Sequence, residues 1–108
     1  MTELIKVATS EEESYIDEQY ELRLDGETIG WASVMVSDTA YVERIDIDEN
    51  YRNRGFGTKM LKDLSSMYGS VAVAPDNEDA RRLYERIGEE YEGDDYEYID
   101  QGFGVYEI

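Results

Sequence analysis

The sequence contains no cysteine and no histidine, and each absence excludes a group of chemistries. Without cysteine there is no disulfide, no thiolate zinc site and no cysteine nucleophile. Without histidine there is no imidazole acid–base catalysis and no histidine metal ligand. Any proton transfer must therefore use a carboxylate, a tyrosine, an amine or water.

Long apolar runs are also missing. No stretch approaches the roughly 20 apolar residues of a membrane-spanning helix, and the N-terminus lacks the basic and apolar pattern of a signal peptide. We therefore expect a soluble cytoplasmic protein with no membrane partner. The 108 residues are enough for a single domain, 1–108, with one core.

Basic residues are scarce, since ten oppose 27 acidic ones and the net charge is −17. Seven of the ten lie in residues 51–88, which hold only five acids. A background this acidic should repel nucleic acid, which is therefore not an expected partner. Two compatible accounts fit the acidity. One is a hydrated surface suited to high salt, as in a halophile, and the other is attraction of a cationic amine or a basic partner.

Apolar periodicity and turn signals predict an α+β protein, with a mixed sheet flanked by helices in the order β-α-βββ-α-β-α-ββ. Ser10 to Gln19 is read as a short helix or an acidic loop, because Ser10 precedes Glu12 and Glu13. Asp25-Gly26 is a hairpin signal. The predicted strands are Met1–Ala8, Tyr20–Leu24, Thr28–Val36, Ala40–Ile47 and Ser70–Ala74, with a final hairpin over Tyr91–Ile108.

Two longer helices are predicted in the second half. Residues 58–68 place Met60, Leu61, Leu64 and Met67 on one face. A second helix begins at Asp76 or Asn77 and ends near Ile87, with Gly88 at its C-cap. Its predicted inner face holds Ala80, Leu83, Tyr84 and Ile87.

The segment Arg52-Asn53-Arg54-Gly55-Phe56-Gly57 lies between the strand at Val42–Ile47 and the helix at Thr58–Tyr68. A turn containing glycine at a helix N-terminus points backbone N–H groups at one place, where a phosphate can bind. The glycines allow a sharp turn and a close approach of the ligand to the backbone. The segment therefore predicts a phosphorylated ligand.

The residues from Ile45 to Gly57 resemble the cofactor signature of the GNAT N-acetyltransferases, Arg/Gln-x-x-Gly-x-Gly/Ala after the fourth strand. Arg52, Gly55 and Gly57 fill that pattern. A second family motif, which is a strand, an asparagine and a helix with a tyrosine, is similar to residues 73–88. The resemblance covers about residues 19–108 and implies a GNAT-like fold.

The resemblance implies an N-acetyltransferase that moves acetyl from acetyl-CoA to a primary amine by direct attack, without a metal. The acceptor is left open among protein N-termini, lysines, polyamines and small amines. Residues 52–57 would hold the pyrophosphate, strand 45–47 would pair with the pantetheine arm and Asn77 would contact that arm. Tyr84 would protonate the leaving thiolate. Glu43, or second Asp46, would be the base. The implied cofactor-binding residues are Ile45, Asp46, Ile47, Arg52, Asn53, Arg54, Gly55, Phe56, Gly57, Thr58 and Asn77.

The chain departs from the family at its N-terminal end. Residues 9–19 leave room for about one helix where family members usually have two, and those helices help to wall the acceptor site. An open pocket, a second subunit or the tail hairpin would then shape that site, and either a monomer or a homodimer is compatible. Two other functions remain: a non-catalytic GNAT-fold module that binds acetyl-CoA or regulates, and an acidic mimic of nucleic acid.

Overall fold

Four consecutive strands form the first half of the sheet. The computed structural model describes residues 1–108. The strands β1 (Thr2–Glu11), β2 (Ile16–Leu24), β3 (Glu27–Val36) and β4 (Ala40–Ile47) each pair antiparallel with the next. The predicted turn at Asp25-Gly26 is confirmed, because both residues have positive φ, 50° and 89°, as a type I′ hairpin turn requires.

The helix considered over residues 10–19 is wrong. β1 continues to Glu11 and pairs with the start of β2, where Ser10 lies opposite Asp17. The hydroxyl of Ser10 bonds the carboxylate of Glu12, and the N–H of Glu12 donates to the carbonyl of Tyr15. Serine and acidic residues favour turns as well as helix starts, and here the cross-strand pairing decides between the two.

The second half adds two helices and three short strands. These are α1 (Phe56–Tyr68), β5 (Ala72–Val73), α2 (Glu78–Ile87), β6 (Glu89–Glu90) and β7 (Tyr106–Glu107). α1 connects β4 to β5 in parallel, and the strand order is β1-β2-β3-β4-β5-β7-β6. The predicted final hairpin becomes an antiparallel pair, β6 and β7. It starts at Glu89 rather than Tyr91, and a long loop with a 3₁₀ turn at Glu97–Ile99 separates its strands.

The main core lies between one face of the sheet and the two helices. α1 buries Met60, Leu61 and Leu64, as its periodicity predicts. Met67, predicted on the same face, is 54% exposed. Tyr68 is partly buried instead, and its hydroxyl is 2.6 Å from that of Tyr20 on β2. The last turn of α1 is therefore held to the sheet by a polar contact.

The predicted inner face of α2 is confirmed, since Tyr84 is buried and Ala80, Leu83 and Ile87 pack against the same core. Gly88 does end the helix, but its backbone is extended (φ −146°) rather than left-handed. Glycine is needed at this position because the backbone of β7 passes very close to it, and a Cβ would overlap the carbonyl oxygen of Glu107.

The opposite face of the sheet is covered at one end only. Tyr96 and Val105 of the tail pack with Ala72 there, while Trp31 on β3 is 43% exposed at the uncovered end. Neither helix has the length and apolar character that a membrane crossing needs. No helix follows β1, because β1 leads directly into β2.

Candidate active site

The segment between β4 and α1 carries a row of backbone N–H groups that have no acceptor in the protein. Gly55, the N-cap of α1, is left-handed (φ 85°) and offers no side chain to cap the helix. Asn53 is also left-handed (φ 63°), a conformation that asparagine tolerates. The N–H of Lys59 bonds the carbonyl of Gly55 at 3.0 Å, whereas those of residues 53–58 donate to nothing in the chain. With the positive end of the helix dipole behind them, these free donors have the arrangement that binding of an anion requires.

The basic side chains near this loop have separate contacts. The Arg52 Nε donates to the carbonyl oxygen of Ile47 at 2.9 Å. The Arg54 guanidinium lies 5.5 Å from the centre of the Tyr51 ring, and Lys59 pairs with Asp63 at 3.1 Å. Arg52 lines the cleft beside the loop, and Arg54 and Lys59 do not. The unpartnered donors that face the cleft from this loop are therefore mainly backbone N–H groups.

A cleft of ≈ 610 Å³ separates the loop from α2. One wall is the loop and the first turn of α1, and the other is the face of α2 that runs from its N-cap towards its last turn. Its lining includes the predicted residues Ile47, Arg52, Asn53, Gly55, Phe56, Gly57, Thr58 and Asn77, together with Tyr51, Asp79, Ala80, Leu83 and Arg86.

Asn77 acts as the N-cap of α2. Its Oδ1 accepts a hydrogen bond from the N–H of Ala80 at 2.8 Å, and its Nδ2 donates to Asp76 at 3.1 Å. This cap explains why α2 begins where it does. The side chain also borders the cleft. Asn77 therefore caps α2 and also lies at the cleft where the predicted contact with the ligand would be made.

β4 leaves one edge free beside the cleft. Its parallel pairing with β5 covers only Tyr41 and Val42. Beyond that point a bulge shifts the register, because Ser33 pairs with Arg44 and Val34 with Val42, leaving Glu43 as the extra residue. Residues 45–47 pair with β3 on one side and with no strand on the other. An extended chain can add to such an edge by backbone hydrogen bonds.

The divergence of β4 from β5 opens a smaller pocket of ≈ 310 Å³. The predicted catalytic residues Glu43 and Tyr84 both line it, and so does Asp46, the second candidate base. Glu43 is exposed on the bulge, while the Asp46 carboxylate pairs with Arg44 at 2.8 Å. The structure thus brings together the residues that the sequence separates by up to 41 positions, Glu43 and Tyr84.

The pocket also contains Asp76 and Gln101, which the sequence reading missed as site residues. Asp76 directly precedes the helix cap Asn77, and this position could have indicated that it belongs to the site. The sequence contains no such indication for Gln101, because the position of that residue depends on how the tail folds. There Asp100 accepts hydrogen bonds from the N–H groups of Gly102 and Gly104 at 2.8 and 3.0 Å.

The hydroxyl of Tyr84 is suited to hold a proton. Only 8% of the residue is exposed. Burial, together with the nearby charge of Asp76, raises the pKa of Tyr84 above its ordinary value of 10.0. The group is therefore protonated at neutral pH and can donate, but it does not ionise readily.

Several solved structures that share this arrangement of strands and helices are described as acetyltransferases. The ribosomal-protein-S18-alanine N-acetyltransferase from Escherichia coli is similar with a TM-score of 0.68 and 17% identity, over 100% of this chain and 93% of that one. A GNAT family acetyltransferase from Elizabethkingia anophelis, solved with acetyl-CoA bound, gives 0.69 and 14%, over 99% and 97%. At these identities the likeness shows the fold.

A third structure, described as a putative streptothricin acetyltransferase from Bacillus anthracis in complex with acetyl coenzyme A, has a TM-score of 0.62 and 18% identity. The similarity covers 90% of this chain and 63% of that one. No curated protein matches the sequence significantly. Residues 3–88 match the model of the acetyltransferase (GNAT) family. Because that match spans most of the sequence and includes both motifs, this chain belongs to the GNAT acetyltransferase family.

Proposed function

We propose that the protein is an N-acetyltransferase that transfers acetyl from acetyl-CoA to a primary amine. The observation that carries the proposal is the row of free N–H groups at residues 53–58, at the start of α1. The row borders a cleft that reaches β4 and α2, and the pocket of Tyr84 is built on the same two elements. Anion binding and proton donation are thereby supported on adjoining surfaces.

The residues of the cleft fit a CoA-type ligand. The free amides and the helix dipole suit a pyrophosphate, which is doubly charged and needs several donors. A Cβ on Gly57 would meet only a side-chain atom of Ile47, at 3.9 Å, so the glycine keeps open the space in which a ligand approaches the backbone. The free edge of residues 45–47 suits the amide-containing pantetheine arm.

Bound acetyl-CoA would supply an activated acetyl group as a thioester. Glu43 takes the proton that the attacking amine must lose, directly or through water, and Asp46 is the alternative. Tyr84 donates its proton to the departing sulfur. Residues 45–47 and Asn77 bind the pantetheine arm and position it relative to Tyr84. No protein nucleophile is required, in keeping with a chain that lacks cysteine and histidine.

The proposed acceptor is a primary amine on a protein N-terminus, a lysine, a polyamine or a small molecule. The similarity in fold to the ribosomal-protein-S18-alanine N-acetyltransferase from E. coli supports the inclusion of protein acceptors. A cationic acceptor is favoured by the net charge of −17. We propose a cytoplasmic enzyme that works as a monomer or a homodimer.

Two measurements test the proposal in order. Isothermal titration with CoA and with acetyl-CoA measures binding, and no heat at millimolar ligand would reject it. An acceptor screen then measures release of free thiol from acetyl-CoA at several salt concentrations. Thiol release that depends on an amine is the expected result. Binding without release for any amine class would instead indicate a non-catalytic acetyl-CoA-binding module.

A further inference from the structure

The arginines of α2 differ in how they are used. Arg81 pairs with Glu78 and Glu85, and Arg82 lies 3.6 Å from the carboxylate of Glu78. Arg86 makes no ion pair and no hydrogen bond within the chain, yet it lines the cleft opposite the loop. An unpaired guanidinium facing a cleft is available to a ligand.

Two basic side chains line the cleft, Arg86 and Arg52. Arg52 is anchored beside the loop, because its Nε donates to the carbonyl of Ile47, whereas no contact within the chain holds Arg86. An acidic residue, Asp79, lines the cleft at the N-terminal end of α2. Asp79 and Arg86 are seven residues apart, or about 10 Å along the helix axis. The α2 wall therefore repels an anion at one end and attracts one at the other.

Coenzyme A carries two separate anionic groups, the pyrophosphate and the 3′-phosphate on its ribose. The free amides of residues 53–58 account for the first. The 3′-phosphate needs a cationic partner of its own, and the guanidinium of Arg86, which is free of contacts within the chain, lies across the cleft from these amides. A guanidinium binds a phosphate through paired, charge-assisted hydrogen bonds.

We propose that Arg86 binds the 3′-phosphate of the coenzyme and makes the protein prefer CoA to dephospho-CoA. The inference rests on the proposed function, because it assigns a specificity-determining residue to the same cleft. It adds a chemical selectivity that neither the loop nor Tyr84 provides, since both ligands have the same pyrophosphate and the same thiol arm.

The test is isothermal titration of CoA and of dephospho-CoA into the wild type, Arg86→Gln and Arg82→Gln. Arg82 is a matched control, because it loses the same charge from the same helix but does not line the cleft. A charged hydrogen-bonded pair is worth about tenfold in affinity or more. We expect the wild type to prefer CoA by roughly that factor. Arg86→Gln should lose the preference through weaker CoA binding, with dephospho-CoA binding unchanged, and Arg82→Gln should keep it.

Three results would overturn the inference: equal wild-type affinities for the two ligands, equal weakening of both in Arg86→Gln, or the same loss of preference in Arg82→Gln. In each of these cases the binding of CoA, and with it the proposed function, still stands. Binding of neither ligand by the wild type would reject both. Arg86→Lys keeps the positive charge and should retain part of the preference for CoA over dephospho-CoA. Melting temperatures equal to that of the wild type would show that the variants are folded.

Discussion

Tyr84 combines burial with an unpaired hydroxyl. Its ring packs in the main core, while its oxygen makes no hydrogen bond within the chain and the residue borders the pocket of Glu43. Packing of the ring in the core explains why Tyr84 occurs at helical spacing with the other apolar residues of α2. The unpaired hydroxyl is not explained by packing and indicates a further role. A residue that served the core alone would be replaced by phenylalanine without loss.

We predict that Tyr84→Phe lowers kcat by about a hundredfold, the scale of one general acid, and leaves the affinity for CoA nearly unchanged. Burial and the charge of Asp76 raise the pKa of Tyr84 above its ordinary value of 10.0, so the hydroxyl stays protonated at neutral and weakly alkaline pH. Loss of this proton should therefore cause no fall in the wild-type rate over that range. Single-turnover thiol release and titration with CoA measure the two effects. Full turnover in the variant would reduce Tyr84 to a packing residue.

The two candidate bases differ in their contacts. Glu43 is exposed on the bulge without an ion pair, whereas Asp46 is held by Arg44 at 2.8 Å. We predict that Glu43→Gln lowers kcat/KM for the amine by about a hundredfold, and that Asp46→Asn lowers it less. The check is the rate as a function of pH with saturating acetyl-CoA. A larger effect in Asp46→Asn would reverse the assignment.

At the scale of elements, the two glycines at the start of α1 are expected to have different roles, one in ligand binding and one in stability. Gly57 is the second residue of the helix and has open space beside it, while Gly55 is left-handed at φ 85°. Alanine favours a helix over glycine by up to about 1 kcal/mol. We predict that Gly57→Ala keeps or raises the melting temperature and yet weakens CoA binding at least tenfold, because the new methyl group stands where the ligand approaches the backbone.

Gly55→Ala serves as the comparison. A left-handed alanine is strained by about 1–2 kcal/mol, so this variant should melt at a lower temperature. Calorimetry and titration of the two variants give four values that separate fold from ligand. Unchanged CoA affinity in Gly57→Ala would show that the ligand does not approach the backbone at this turn.

The sequence predicts those elements that local signals determine. Asp25-Gly26 specifies a two-residue turn, and this prediction is confirmed. Asp76 and Asn77 were the two candidates for the start of α2, and the structure selects Asn77 as the cap. Where the outcome depends on distant pairing, the prediction weakens. Ser10 has the local chemistry of a helix start, but its backbone is taken up by pairing opposite Asp17. The position of Gln101 was not predictable, because the residue lies in the long loop between β6 and β7, and that loop is placed by packing against distant residues of the sheet.

At the scale of the whole molecule, charge is the dominant feature. The net charge of −17 on 108 residues produces self-repulsion that opposes the compact state. The ion pairs of the structure lie at or near its surface, where each contributes little to stability. Salt screens such repulsion, since the Debye length falls to about 3 Å at 1 M.

We therefore predict that the melting temperature rises by roughly 5–10 °C between low salt and about 1 M KCl, equivalent to about 1–2 kcal/mol for a domain of this size. Circular dichroism at a series of KCl concentrations measures the change. Most of the rise should occur below 1 M, because screening is nearly complete there. A flat or falling curve would mean that the acidity is unrelated to salt and would favour the account based on a cationic partner.

The proposed function depends on binding of the pyrophosphate of CoA by the backbone N–H groups of residues 53–58. The most direct measurement is a titration of ¹⁵N-labelled protein with CoA, following the backbone amide resonances by NMR. We predict that the largest shifts fall on residues 53–58, and that the remote β1–β2 turn near Glu12 stays unchanged. Saturating CoA that leaves the amides of 53–58 unshifted, or shifts only residues outside the cleft, would contradict the account.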